Sequence, residues 1–267
     1  MLADGIPSRP APTPERTSAL TRRLLAPNPG PMTLDGTNSY LIAGPGAAAT
    51  VVVDPGPLDE PHLARLAAAG PVALVLITHH HADHTAASAR FAEVTGAPVR
   101  ALDRAYCIGG DPLRGGELIE AAGVSIRVVA TPGHTADSVC FQLADDGAHG
   151  SVLTGDTVLG RGTTVVGHPD GTLRDYLASL EALRALGRAT VLPAHGEVLP
   201  DLAASCAAYL AHRHDRLDQV RRALAALGPT ATLTQVTDTV YAETDAAVRV
   251  AAEASVRAQL AYLGHRG

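Results

Sequence analysis

Four apolar runs of strand length in this chain stop just before a histidine or an aspartate, at His79, His134, Asp156 and His195. Residues 73–77 lead through Thr78 into His79-His80-His81-Ala82-Asp83-His84. Residues 125–130 lead into Thr131-Pro132-Gly133-His134-Thr135, 151–153 into Thr154-Gly155-Asp156, and 190–192 into Pro193-Ala194-His195-Gly196. Short apolar runs bounded by Gly and Pro read as buried strands. The repeated ending requires a fold that gathers polar loops along one shared edge, as a β-sandwich does.

The rest of the chain fits an α/β fold. Strand-like runs are expected at 22–25, 38–42 and 50–53, and helices at 58–69, from the histidine loop to about 94, and at 173–186. A long helix is expected over 201–227, with Leu210, Leu217, Val220, Leu224 and Leu227 on one stripe and Gly228-Pro229 as its stop. The expected division is a proline-rich disordered tail (1–18), a catalytic domain (19–200), a linking helix (201–227) and a helical module (228–267).

The loops carry metal chemistry. Imidazole and carboxylate suit zinc, manganese or iron. His79 and His81 alternate along their loop, so both can face one ion, with His134 completing the trio. Asp83 and His84 point differently and suit a second ion with His195. Asp156 would bridge the two through its two oxygens. A hydroxide held between two divalent ions is a nucleophile at neutral pH, because the pKa of metal-bound water falls to about 7 in favourable sites. Asp83 is the expected catalytic carboxylate, aligning that hydroxide and relaying its proton. No Ser or Cys nucleophile is needed.

Composition narrows the class. All 21 basic residues are Arg, which excludes any mechanism needing a Lys ammonium. Net charge is −6, which does not favour non-specific binding to a polyanion. Cys107, Cys140 and Cys206 form no CxxC pair, and Cys140 reads as a buried thiol, so a reducing, cytoplasmic setting is expected. No apolar stretch resembles a signal peptide or is long enough to span a bilayer.

Taken in order, His79-x-His81-x-Asp83-His84, Thr131-Pro-Gly-His134-Thr135, Gly155-Asp156 and Pro193-Ala-His195-Gly196 resemble the metal-binding motifs of the metallo-β-lactamase superfamily. The resemblance covers about residues 20–200. It implies an αββα sandwich and a dinuclear hydrolase site, zinc foremost. It also implies that Asp54, in Val-Asp-Pro-Gly, orients metal ligands, with Thr135 behind them as well. Thr37-Asn-Ser-Tyr40, Gly160–Val165, Tyr176-Leu-Ala-Ser-Leu180 and Tyr209-Leu-Ala-His-Arg213 look like the β-lactamase-like protein 2 group, which resembles glyoxalase II. That group includes an endoribonuclease and carries a C-terminal winged-helix-like module, here 228–267.

Departures separate the neighbours. Asp156 stands where true zinc β-lactamases of the main group have Cys, so antibiotic hydrolysis would be incidental. Glyoxalase II relatives use basic side chains, including Lys, to hold glutathione, and here only Arg could serve. Position 81 is His, not the Glu of flavodiiron oxygen reductases. The expected substrate is a small molecule or an oligonucleotide, with either a phosphodiester or an ester or thioester as the scissile group. A glyoxalase-II-like thioesterase is one alternative. A non-catalytic, metal-bearing regulator that binds nucleic acid is another.

Several residues read two ways. His168 sits on the loop after Asp156 and could touch substrate or simply be exposed. Arg213 and Arg216 share one helix face, suited to an anion or to salt bridges with Asp215 and Asp218. His80 is expected to face outward, and His62, His149 and His265 to be solvent-exposed. The module at 228–267 holds more acids than bases, a poor phosphate reader. It is expected to pack on the catalytic domain or to serve homodimerisation.

Overall fold

The computed structural model describes residues 13–243 and 248–265. Its first half is a six-stranded sheet: β1 (Glu15–Arg16), β2 (Thr21–Leu25), β3 (Asn38–Ile42), β4 (Thr50–Val53), β5 (Val72–Leu76) and β6 (Val99–Arg100), in that spatial order. Between these strands come α1 (Glu60–Ala68), the short α2 (Ala82–Thr85) and α3 (Ser88–Thr95). The second sheet has five strands: β7 (Leu118–Ala121), β8 (Val124–Ala130), β9 (Val139–Leu143), β10 (Ser151–Gly155) and β11 (Thr190–Pro193), ordered β11-β10-β9-β8-β7. Its outer layer is α4 (Leu173–Ala185) and the start of α5 (Leu202–Leu227).

Period-two alternation builds three cores at once. Tyr40, Ile42, Val51, Val53, Leu74 and Leu76 face the second sheet and meet Ile126, Val128, Phe141 and Leu153 between the layers. Their neighbours Leu41, Val52, Val75 and Ile77 point the other way, onto Leu63, Leu66 and Phe91 of α1 and α3. On the second sheet, Cys140, Val152 and Val191 face Tyr176, Leu180, Cys206 and Tyr209. The result is the αββα sandwich expected from the sequence.

Three expectations change. The tail at 1–12 lies outside the described residues, but Glu15–Arg16 already pairs with Arg22 and Arg23 as an edge strand. The long helix α5 does more than link. Its first half completes the outer layer of the second sheet through Leu202, Cys206 and Leu210. Its second half, through Val220 and Ala223, forms a fourth core with α6 (Leu233–Val240) and α7 (Arg249–Tyr262). Among the described residues no strand follows α5, so this module shows helices and no wing.

The predicted helix after the histidine loop is two helices. The break falls at Ala86–Ala87, where Ala87 packs flat against the first sheet. Cys140 and Cys206 are buried, and the three cysteines are free thiols. Among the described residues no helix is long and apolar enough to cross a membrane.

Candidate metal centre

Strand ends deliver the site. β5 runs through Thr78 into His79, and α2 turns His81, Asp83 and His84 back over its end. His134 follows β8, Asp156 follows β10, and His195 follows β11. Two glycines permit the approach. Gly155 has φ +50°, and a Cβ there would come within 2.8 Å of the Thr78 side chain. Gly133 has φ +143°, and a Cβ there would lie 2.3 Å from Tyr176 Cα.

These loops place two donor groups side by side: His79, His81, His134 and Asp156; and Asp83, His84 and His195. His81 Nδ1 is 3.1 Å from His79 Nε2 and 3.0 Å from His134 Nε2. Metal–nitrogen bonds of about 2.0–2.1 Å around a tetrahedral ion put ligand nitrogens at much this spacing. Asp156 presents Oδ2 to the first group, 3.5 Å from His134 Nε2, and Oδ1 to the second, 3.3 Å from His195 Nε2. In the second group Asp83 Oδ2 lies 3.2 Å from both His84 Nε2 and His195 Nε2.

The far side of four of the five rings is fixed. His84 Nδ1 donates to Asp54 Oδ2 at 2.8 Å. His79 Nδ1 donates to Thr78 Oγ1 at 3.1 Å, and that hydroxyl donates to Asp54 Oδ2 at 2.7 Å. His134 Nδ1 donates to the Val165 carbonyl at 2.6 Å, and His195 Nδ1 to the Gly36 carbonyl at 3.1 Å. Such contacts fix the tautomer and leave the opposite nitrogen as a lone pair.

The residues fit divalent ions. His84 Nε2, His195 Nε2 and Asp156 Oδ1 are buried, face one another and have no hydrogen-bond partner. Unsatisfied buried polar atoms are costly, and a cation between them offsets that cost. Electrostatics agree. Burial resists charge on His195, yet Asp156 and Asp83 push its imidazole up to about 9. Burial also resists charge on Asp83 and Asp156, but the surrounding histidines hold both carboxyls well below the usual range. The carboxylates thus make the second group favour positive charge, which suits a cation there. Burial keeps His79 and His81 neutral, His81 at about 4.

The structure brings together every ligand the sequence pointed to, and Asp54 behind them. Thr135 differs: its hydroxyl donates to Asp137 Oδ1 at 2.8 Å, and the same oxygen accepts from His80 Nδ1 at 2.8 Å. The Thr135 hydroxyl therefore braces the loop that carries His134, bonding Asp137 and Ser138 rather than a ligand ring. His80 faces outward as expected, stacked on Tyr106. His168 lines a separate cavity with Thr172, Arg174 and Tyr262, because the Gly167 turn carries it towards α4 and α7. His62 is buried rather than exposed, its Nε2 3.0 Å from Ser39 Oγ. It lies on the same face of α1 as Leu63 and Leu66.

Sequence reasoning missed the clamp on His195. Asn38 Nδ2 donates to the Pro193 and Gly196 carbonyls at 2.9 Å each, and Tyr40 Oη donates to Pro193 at 2.9 Å. Thr37 Oγ1 donates to Asp83 Oδ2 at 3.3 Å. The Thr37–Tyr40 stretch was visible as a motif, but its partners lie some 46 to 158 residues away.

Beside Asp156 and His134 opens a cavity of about 350 Å³. Met32, Leu34, Leu159 and Val165 line one side, and Tyr241, Val248, Ala251 and Ala252 of the C-terminal module the other. Arg213 and Arg216 of α5 line its wall. They are not the salt-bridged face that Asp215 and Asp218 suggested: Asp218 pairs with Arg221 at 2.7 Å.

An αββα sandwich with paired His/Asp donor groups at its edge is a metal-dependent hydrolase. The chain belongs to the metallo-beta-lactamase superfamily, whose family profile matches residues 32–195. It is 31% identical over 265 residues to the beta-lactamase-like protein 2 homolog of Caenorhabditis elegans, covering 93% of this chain and 85% of that protein. It is 35% identical over 228 residues to an atrochrysone carboxyl ACP thioesterase of Aspergillus chevalieri, covering 82% of this chain and 69% of that protein. The crystal structure of a metallo-beta-lactamase family protein from Thermus thermophilus superimposes with a TM-score of 0.75 at 26% identity, covering 91% of this chain and 93% of that one.

Proposed function

We propose that the chain hydrolyses an ester or thioester whose acyl part occupies the cavity beside Asp156. The cavity carries this reading. It opens on His134 and Asp156, and about half of its lining is apolar, with Met32, Leu34, Leu159, Val165, Val248, Ala251 and Ala252 among it. Such a wall suits a small organic acyl group. A strand of nucleic acid needs a long basic track with successive aromatic platforms, whereas this lining gives three arginines, one of them paired with Asp35, and a single tyrosine. The thioesterase name of the Aspergillus chevalieri relative supports the same choice.

Two zinc ions are the proposed cofactor. His79, His81 and His134 would hold one, Asp83, His84 and His195 the other, with Asp156 shared. Three histidines with an open fourth position match catalytic zinc, though manganese and iron accept the same donors. Bound ions of this kind supply a nucleophilic water at neutral pH and polarise the attacked oxygen. The chain's own residues do the rest. Asp83, partly open to solvent, is placed to orient that water and hold its proton. Val165, beside His134, forms part of the wall that keeps bulk water from the acyl group. The three free thiols support a reducing, cytoplasmic setting.

The test is a side-by-side assay with a thioester, a bis-aryl phosphate, single-stranded RNA and a chromogenic β-lactam, together with metal analysis. Preferred thioester turnover with close to two zinc ions per chain is expected. Turnover confined to RNA or to the phosphate would replace the reading with a nuclease.

A further inference from the structure

Three arginines line the cavity, and their partners differ. Arg161 is paired with Asp35 at 2.6 Å. Among the described residues, neither Arg213 nor Arg216 has a carboxylate within 4 Å. Arg213 is only 3% exposed. Its guanidinium donates to the Thr164 carbonyl and lies over the Tyr176 ring at 5.1 Å, and its Nε has no partner. Arg216 donates to Gln219 Oε1 at 2.7 Å and lies over Tyr241 at 4.7 Å.

A buried cation costs free energy unless an anion accompanies it. Two guanidinium groups one helical turn apart also repel each other. Among the described residues this is offset only by ring faces and neutral acceptors. The one acid among the described lining residues, Asp156, belongs to the donor groups, where three histidines already surround it. An anion from outside the chain would satisfy both arginines together.

We propose that Arg213 and Arg216 bind a carboxylate on the acyl part of the substrate, remote from the scissile bond. This rests on the ester or thioester reading and deepens it. The substrate class becomes an acidic acyl thioester: scissile carbonyl at Asp156 and His134, an apolar body against Leu159 and Ala251, a carboxylate at the arginines. The fork of a guanidinium matches a carboxylate with paired hydrogen bonds. The polar end thereby fixes which way round the acyl group lies.

Three N-acetylcysteamine or mercaptopropionate thioesters test the assignment. One carries phenylacetate, one carries 4-carboxyphenylacetate, and one carries phenylacetate on 3-mercaptopropionate, which moves the anion to the leaving thiol. The carboxylated acyl group should lower KM by about ten- to a hundredfold, the range of a charge-assisted hydrogen bond. Arg216→Gln should erase that preference and Arg216→Lys restore part of it. A preference for the mercaptopropionate ester alone would overturn the acyl placement.

A binding arm needs no turnover. Calorimetry on the metal-free protein compares 1-naphthoate with neutral 1-naphthamide, in wild type, Arg216→Gln and Arg213→Met. Naphthoate should bind better, and either substitution should remove the difference. Equal binding of acid and amide by the wild type overturns the anion site, even if thioesters are hydrolysed. An arginine-dependent preference without any thioester turnover would uphold the site and remove the thioesterase reading.

Discussion

Asp54 holds His84 from behind: its Oδ2 accepts from His84 Nδ1 at 2.8 Å while its own backbone sits at φ +52°. A left-handed backbone is uncommon outside glycine and costs free energy for a side-chain-bearing residue. Here that conformation turns the chain at the end of β4 so that one buried carboxylate reaches His84, the Thr78 hydroxyl and the Thr78 amide at once. The donor group on the metal side is therefore set by a residue that never reaches it.

Asp54→Ala should weaken metal binding by about ten- to a hundredfold, the usual effect of removing such a partner. Competition with a chromophoric chelator measures it. Unchanged affinity would mean that burial alone fixes the His84 ring. The variant also strands the Thr78 amide and hydroxyl, so chemical unfolding should show a loss of roughly 1–3 kcal/mol.

Asp156→Ala tests the shared carboxylate. Its two oxygens face different donor groups, so removing them should affect both. Metal analysis is expected to show fewer than two ions per chain, and hydrolysis should fall below detection. Full occupancy with activity retained would place the chemistry elsewhere.

The donor set was legible because every ligand stands on the loop that directly follows an apolar run, and strand ends share an edge. The core was legible for a similar reason, since alternation of Val, Leu and Ile along β3, β4 and β5 sorts side chains between two faces. What the sequence hid depends on contacts across long separations. Tyr209 Oη accepts from the Leu159 amide at 3.0 Å, and Tyr176 Oη donates to the Thr157 carbonyl at 2.7 Å. Both pin the loop leaving Asp156, and nothing local predicts either. Arg213 was misleading for the same reason: Asp215 lies close in sequence, whereas Tyr176 and Thr164 lie close in space. The sequence shows only that His168 sits on a loop, and the turn before it decides which cavity it joins.

The C-terminal module should shape the substrate site. Ala251 of α7 lines the cavity with Leu159 and Val165 across from it. Ala251→Phe fills that space without touching the donor groups. KM for a bulky acyl thioester should rise by about tenfold or more, while an acetyl thioester and the metal content change little. Equal effects on both esters would mean that the substituted helix had shifted instead of filling the pocket.

His62 should make stability fall in mild acid. It is fully buried against Ser39, and burial, helped by Arg65, lowers its pKa from 6.5 to about 4. A depressed folded pKa means that the unfolded chain binds the proton first. Stability from the neutral ring is thus fully present above about 6.5 and is lost as pH falls through 6.5 towards 4. Between pH 7 and pH 5 the loss from this residue should be about 2 kcal/mol. His62→Gln keeps a polar group for Ser39 and does not titrate. Urea unfolding of both proteins in excess chelator at the two pH values isolates the difference, because the other histidines contribute equally to each. Parallel losses in wild type and variant would show that His62 is charged inside the fold.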